Sequence, residues 1–269
     1  MKSLIAYLFL FSTLCASSLA SATSYPSGAV AYWGFNEGSG STCYDSAGSN
    51  DGVLYGPSWG SGIVGGALSF DGIDDYVSVP DHSSLDIAGS FTVEAWVKGN
   101  EDASANRIQT LVAKDDGPYR QSDNYYFVYD HVGDQIGGAT LGPGVFIKQD
   151  PEWYCSGPTS GLSAGRWYHL AGVWDGSELS LYVDGRLDAS ESTDVGALPT
   201  NSFPVLLGTN HAGDQFYNGL MDEVLIYDRA LSAEEIRGRY RQLAPIPEPA
   251  SLVLLGIGIA ALAWRRREF

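Results

Sequence analysis

Positive charge, sulfur and long apolar runs are all scarce in this sequence. Its 15 Lys and Arg face 32 Asp and Glu, a formal net charge of −17 at pH 7. Without Lys2 and the tail residues Glu248, Arg265, Arg266, Arg267 and Glu268, the body keeps 11 basic against 30 acidic side chains, a net of −19. Such a surface repels nucleic acid and anionic lipid, which excludes nucleic acid as a partner and suits neutral ligands or bound cations. Catalytic signatures are absent as well. There is no H-E-x-x-H, no C-x-x-C and no G-x-S-x-G, and "GSGST" at Gly38–Thr42 lacks the lysine of a phosphate loop. The four histidines, His82, His131, His169 and His211, have no metal-ligand spacing, and His169, set between Tyr168 and Leu170 in a strand pattern, reads as structural.

Two terminal segments stand apart from the body. Met1-Lys2, the apolar stretch Leu4–Cys15 and the A-x-A triplet Ala20-Ser21-Ala22 read as a secretory signal peptide over residues 1–22. Leu14, before Cys15, is too large for lipoprotein-type cleavage. At the other end Pro247-Glu248-Pro249 precedes an apolar run, Ser251–Trp264, and then Arg265-Arg266-Arg267. As a helix that run is roughly 21 Å long, whereas a bilayer core asks for about 20 residues. It is a poor permanent anchor. Export leaves two cysteines, Cys43 and Cys155, which an oxidising compartment pairs as one disulfide or leaves as two free thiols.

Between the ends the chain alternates as strands do. In "FTVEAWVK" (Phe91–Lys98) Phe91, Val93, Ala95 and Val97 share one face. "WYHLAGVW" (Trp167–Trp174) repeats the pattern, and "LSLYVDGRL" (Leu179–Leu187) carries the hairpin pair Asp184-Gly185. Further Asp-Gly pairs begin at Asp51, Asp71, Asp116 and Asp175, so tight turns recur along an all-β chain of sandwich or barrel type. One helix is expected, Ser232–Tyr240, with Ser232 as N-cap and Glu235 completing a capping box.

"AVAYWGFNEGSGSTCYDSAGSNDGVLYG", "GGALSFDGIDDYVSVP" and "FTVEAWVK" resemble the opening half of a LamG-like jellyroll domain of the concanavalin A-like lectin/glucanase superfamily. "GRWYHLAGVWDGSELSLYVDGRL" and "NGLMDEVLIYDRALSAEEIRGRY" resemble its closing half. The resemblance runs from about Ala29 to Tyr240, outside the segment 115–158, and implies one domain over 25–243. Its fold would be a two-sheet antiparallel jellyroll sandwich with one sheet curved. The tail, 244–269, resembles the PEP-CTERM sorting signal of Gram-negative bacteria. That resemblance implies an exosortase that cuts near Pro247-Glu248-Pro249, a transient hold in the inner membrane, and Arg265, Arg266 and Arg267 kept on the cytoplasmic side. The mature protein would then sit at the cell envelope or outside it. The superfamily also implies one structural calcium ion, for which the matching positions are Gly34, Asn36, Asp71, Asp74, Asp75 and Asp222. The bland reading of the Asp71–Asp75 group is turn hydrogen bonding.

Glucanases of the superfamily carry two carboxylates on one strand face. Glu94 stands alone between Thr92 and Trp96, and Asp222 and Glu223 are adjacent, which in a regular strand sends them to opposite faces. No catalytic residue is assigned. Glu94 reads instead as a hydrogen-bonded carboxylate that orders its sheet. Neutral sugars stack their C–H faces on aromatic rings while polar side chains take the hydroxyls. Trp33, Trp96, Trp167 and Trp174 sit in strand patterns and belong to the core. The expected ligand-binding set is Tyr119, Tyr125, Tyr126, Tyr129, His131, Trp153 and Tyr154, with Asn210, His211, Asp214 and Tyr217 from a later loop. The expected function is non-catalytic binding of a polysaccharide. The alternatives are an inert matrix protein, a protein-binding adhesion module and a divergent glycosidase.

Overall fold

The computed structural model describes residues 28–101, 108–115, 124–131, 142–149, 152–156 and 161–244. They form two antiparallel sheets packed face to face. The first sheet holds β1 (Ala31–Trp33), β4 (Ser58–Ser61), β5 (Gly66–Asp71), β7 (Phe91–Gly99), β12 (Tyr168–Trp174), β13 (Glu178–Val183), β14 (Arg186–Ser192) and β16 (Asn218–Tyr227). The second holds β2 (Thr42–Cys43), β3 (Gly52–Tyr55), β6 (Tyr76–Val79), β8 (Gln109–Lys114), β9 (Tyr125–His131), β10 (Gly142–Gln149), β11 (Glu152–Ser156) and β15 (Val205–Leu207). Their orders are β14-β13-β12-β7-β16-β5-β4, with β1 also on β16, and β11-β10-β9-β8-β15-β6-β3-β2. Neighbours in each sheet come from both halves of the chain, so neither half closes a sheet alone.

Alternation sorts the side chains as the sequence predicts. Phe91, Val93, Ala95 and Val97 of β7 face Phe127, Tyr129, Val145 and Ile147 of the other sheet across one continuous core. Trp33, Trp96 and Trp174 are buried. At roughly 1.5–3 kcal/mol for each large apolar side chain removed from water, this core is the main favourable term in folding. Strands β7 and β12 are buried on both faces, because the outer face of the first sheet is covered in turn. Its cover is helix α1 (Ala233–Leu243), three residues longer than expected, whose Ser232/Glu235 capping box is in place. Ile236 of α1 packs with Leu231 on Ala171, Val173, Leu225 and Tyr227 in a second, smaller cluster.

The sheet order rules out the Cys43–Cys155 disulfide. Cys43 lies on β2 and Cys155 on β11, the two opposite edges of an eight-stranded sheet. At about 4.8 Å between strands they stand roughly 30 Å apart, far beyond disulfide reach. Cys43 is instead a free, buried thiol directed at the Gly52 carbonyl at 3.6 Å. Burial, with Glu37 nearby, pushes that thiol up to about 12, so it is unreactive.

Candidate functional site

Two outer faces are available to a sandwich. On the second sheet, the segment after β15 leaves at Gly208, folds back over β15 and β8, and returns at Tyr217, where Tyr217 N donates to the Gly208 carbonyl at 2.9 Å. His211 N donates to Asp115 Oδ1 at 3.2 Å at one end of β8. At the other end Thr110 N donates to the Gln215 carbonyl at 2.9 Å. Asn210 Nδ2 donates to Asp214 Oδ1 at 2.8 Å and Asp214 N donates back to Asn210 Oδ1 at 3.2 Å, which closes the tip. The ridge so formed carries an exposed Asp214 and a half-buried His211, whose ring meets exposed Phe203 edge-on at 5.2 Å.

Tyr126 reaches this ridge from β9. Its hydroxyl bonds Gln215 Oε1 and lies 2.8 Å from Thr110 Oγ1, which also donates to Gln215 at 3.0 Å. On the far side of the ridge, outward positions of β3 and β6 carry Tyr55 and Tyr76, stacked at 4.7 Å with 10° between the rings. Tyr55 is 48% exposed, which makes the pair an open aromatic platform.

The expected ligand set therefore divides. Tyr126, Asn210, His211 and Asp214 gather at the ridge, although Asn210 is itself buried. Tyr125, Tyr129 and Tyr217 do not take part. They are at most 1% exposed, inward-facing members of the core; strand alternation puts Tyr125 and Tyr129 there, and Tyr217, just before β16, packs on Phe70 and Tyr129. Tyr119 lies outside the described residues. His131 ends β9, and Trp153 and Tyr154 lie on β11, but their side chains are outside the described residues. Sequence reading missed Tyr55 and Tyr76. The signal was the outward phase of "GVLY" opposite "YVSV", legible only once those strands are known to pair.

The outer face of the first sheet has the opposite character. Glu94 Oε2 lies 3.1 Å from His169 Nε2, while its Oε1 accepts from Tyr227 at 3.2 Å and from Arg239 Nε at 2.8 Å. Trp96 stacks on Tyr240 of the helix at 5.7 Å. Burial pushes the Glu94 carboxyl up, but His169 and Arg239 outweigh it and hold the group ionised, at about 2. Glu94 and His169 are buried, and Glu94 is the hydrogen-bonded carboxylate that the sequence suggests. Asp222 and Glu223 depart from the regular-strand expectation. A bulge between Asp222 and Leu225 puts Glu223 at φ 52°, so alternation breaks between them. Asp222 stands opposite Trp96, and Glu223 accepts from the Tyr32 hydroxyl at 2.7 Å.

Asp222 also anchors a turn. Its Oδ2 accepts from Ile63 N at 2.9 Å and Val64 N at 3.2 Å, and its Oδ1 from Glu223 N at 2.7 Å. A Cβ on Gly62 would run into the Gly66 carbonyl and Asp222 Oδ2, and one on Gly66 into the Phe35 carbonyl. Asn36, whose Nδ2 lies beside Gly34, accepts through Oδ1 from Gly66 N at 2.9 Å. Two non-glycine residues with left-handed backbone, Phe35 (φ 46°) and Glu223, flank this convergence of oxygens. Asp71, Asp74 and Asp75 do not join it. They cluster with carboxylate oxygens within 4.8 Å of one another. Asp71 pairs with Asn218, four residues along β16 from Asp222, a separation of roughly 13 Å. There Asp71 Oδ1 accepts from Ile73 N and Asp75 Oδ2 from Asp71 N, both at 2.8 Å, the hydrogen bonds of a tight turn.

The two-sheet sandwich finds its relatives accordingly. The family pattern Laminin_G_3, described as the concanavalin A-like lectin/glucanases superfamily, matches residues 71–237. The chain belongs to the concanavalin A-like lectin/glucanase superfamily. A second pattern, the PEP-CTERM protein-sorting motif, matches residues 245–267 and indicates export with exosortase-dependent surface sorting. Pro247, Glu248, Pro249, Arg265, Arg266 and Arg267 fall within that match and outside the described residues. No curated protein matches the chain. Among solved structures, domain 4 of AbnA, a GH43 extracellular arabinanase from Geobacillus stearothermophilus in complex with arabinotriose, is 22% identical with a TM-score of 0.60, over 81% of this chain and 98% of that one. The binding domain of Paraclostridial Mosquitocidal Protein 1 is 15% identical with a TM-score of 0.60, over 80% of this chain and 52% of that one. Trypanosoma rangeli sialidase in complex with the inhibitor DANA is 18% identical with a TM-score of 0.57, over 78% of this chain but 32% of its own length. At these identities the likeness is one of fold.

Proposed function

We propose that this superfamily member is an exported, non-catalytic polysaccharide-binding domain. Its ligand would lie on the outer face of the second sheet, between the Tyr55–Tyr76 platform and the ridge of His211, Asp214 and Tyr126. The observation that carries the reading is the contrast between that open aromatic pair and the sealed Glu94, which is 0% exposed and held by three partners. A carboxylate beneath a helix can neither attack a glycosidic bond nor protonate one. The arabinotriose complex of a similarly folded domain, of which this chain spans 98%, supports a saccharide as the ligand class. The test is to incubate the exported protein with a panel of neutral polysaccharides, measuring retention and released reducing ends together. Retention without release is expected. Release that Glu94→Gln abolishes would make the protein a glycosidase.

Calcium belongs to the same proposal as a structural ion. Asp222, the carbonyls of Phe35 and Gly66 and the side chain of Asn36 supply the hard oxygens that calcium takes, and the strained backbone on either side suits a site completed by a ligand. The ion would tie the β4–β5 turn to β1 and β16 and take no part in chemistry. Binding to the folded state alone adds about 2.7 kcal/mol at a hundredfold excess over the dissociation constant. Chelator should therefore lower the melting temperature of the wild type and leave Asp222→Ala unchanged. Equal melting of the wild type in calcium and in chelator, with elemental analysis showing the chelated protein to be metal-free, removes the ion.

A further inference from the structure

Four basic side chains among the described residues are committed to carboxylates. Lys114 pairs with Asp81 and Asp86, Arg166 with Asp184, Arg229 with Glu235 and Arg239 with Glu94. Three that have no carboxylate partner among the described residues, Arg186, Arg237 and Arg241, converge on one groove. It has a volume of about 360 Å³ and is lined by these three with Asp184, Gly185 and Tyr240, at the small end of the range for ligand pockets.

The groove is built, not incidental to loose side chains. One wall is the turn between β13 and β14, where Asp184 (φ 49°) and Gly185 (φ 72°) both take left-handed backbone. A Cβ on Gly185 would come within 2.8 Å of Tyr240 Cβ and 3.2 Å of Arg237 Cα, so only glycine lets the turn seat this closely on α1. The other wall is α1 itself, where Arg237 and Arg241 stand one turn apart and Tyr240 is pinned by its stack on Trp96. Arg186 opens β14 on the opposite side. The single acid of the lining, Asp184, is already bonded to the Arg166 guanidinium and to His169 N at 3.1 Å. Three exposed guanidinium groups thus line one cleft, and none of them forms an ion pair among the described residues.

We propose that this groove binds an anionic polysaccharide, with carboxylate or sulfate groups taken by Arg186, Arg237 and Arg241. Planar guanidinium forks match such oxyanions two bonds at a time. Three of them around one cleft suit a polymer with repeated charge better than a single small ion. The rest of the body is strongly negative, so a flat anionic bilayer would be repelled over most of its contact area, whereas a thin polyanion can enter the cleft alone. The site goes beyond the neutral-sugar face proposed above and stands on different residues, so the two are separable.

The test is retention of the exported protein on immobilised alginate, a polyuronate, against dextran as the neutral control and phosphatidylglycerol vesicles as the membrane control. Wild type should bind alginate in a salt-sensitive way. Arg237→Ser with Arg241→Ser should weaken that binding at least about tenfold, the loss expected for charge-assisted bonds. The pair should leave the melting temperature and any neutral-glycan binding unchanged. Arg186→Gln should weaken alginate binding on its own, and Arg229→Gln, whose partner is Glu235, should not. Absence of alginate binding in the wild type overturns the proposal, as does undiminished binding in the double variant. Vesicle binding that exceeds alginate binding and depends on the same arginines would make the groove a membrane-docking surface instead.

Discussion

The outer faces of the two sheets use the same residue types to opposite ends. On the first sheet, Glu94, His169, Tyr227 and Arg239 are packed under α1 with their hydrogen bonds turned on one another. On the second, tyrosines, His211 and Asp214 sit at the margin of a folded-back loop, and the Tyr55–Tyr76 pair stays open to solvent. The difference lies in the cover. A helix whose inner side carries apolar Ile236, aromatic Tyr240 and the Arg239 partner of Glu94 excludes water and turns a charged cluster into an anchor. A loop tied down at Asp115 and Thr110 leaves Tyr55 and Asp214 exposed, and the proposed binding face rests on that access. Polar chemistry alone does not mark a site; access does.

The sharpest way to break that contrast is to uncover the first face. Arg239→Met keeps the stem but strands the Glu94 carboxylate, and removing one partner of a buried pair costs about 3–5 kcal/mol. Melting of the variant should fall steeply, and Glu94→Gln added to it should recover part of the loss. If Arg239→Met melts like the wild type, the cluster is not an anchor. The same network sets an acid limit. Because folding depresses the Glu94 carboxyl to about 2, its contribution is complete above the ordinary carboxylate range and is lost as pH falls through that range toward 2. Acid titration of stability should lose this segment of its slope in Glu94→Gln.

Smaller effects are expected on the second face. Tyr55→Ala or Tyr76→Ala should weaken polysaccharide binding by about 1–3 kcal/mol, the cost of one aromatic contact, with little change in melting. Unaltered affinity in both would move the site off the platform. Tyr126→Phe removes only a hydroxyl shared with Thr110 and Gln215, so a loss of about 1 kcal/mol in stability is expected, with a looser ridge.

Most of the fold was legible because strand alternation and Asp-Gly turns are local: β7, β12 and the β13–β14 hairpin stand where Phe91–Lys98, Trp167–Trp174 and Asp184-Gly185 put them. The capping box of α1 was legible for the same reason. What failed depends on which strand lies beside which. The Cys43–Cys155 pairing needed the knowledge that β2 and β11 are opposite edges. Tyr125, Tyr129 and Tyr217 looked like a binding cluster from composition, whereas strand phase sends Tyr125 and Tyr129 inward and Tyr217 closes the loop by packing on Phe70 and Tyr129. The bulge at Glu223 was invisible, since nothing in "LMDEVLIY" announces an inserted residue. Arg239 and the groove arginines were missed because helix α1 had not been assigned a sheet to cover.

The measurement that bears most directly on the account is hydrogen–deuterium exchange of the exported protein with and without a saturating polysaccharide that it retains. Protection should appear in β3, β6 and residues 208–217, and exchange in β7, β16 and the Glu94-facing part of α1 should not change. Protection centred on β7 and β16, with the second sheet unchanged, would contradict the assignment of the binding face and return Glu94 to consideration as a reacting group.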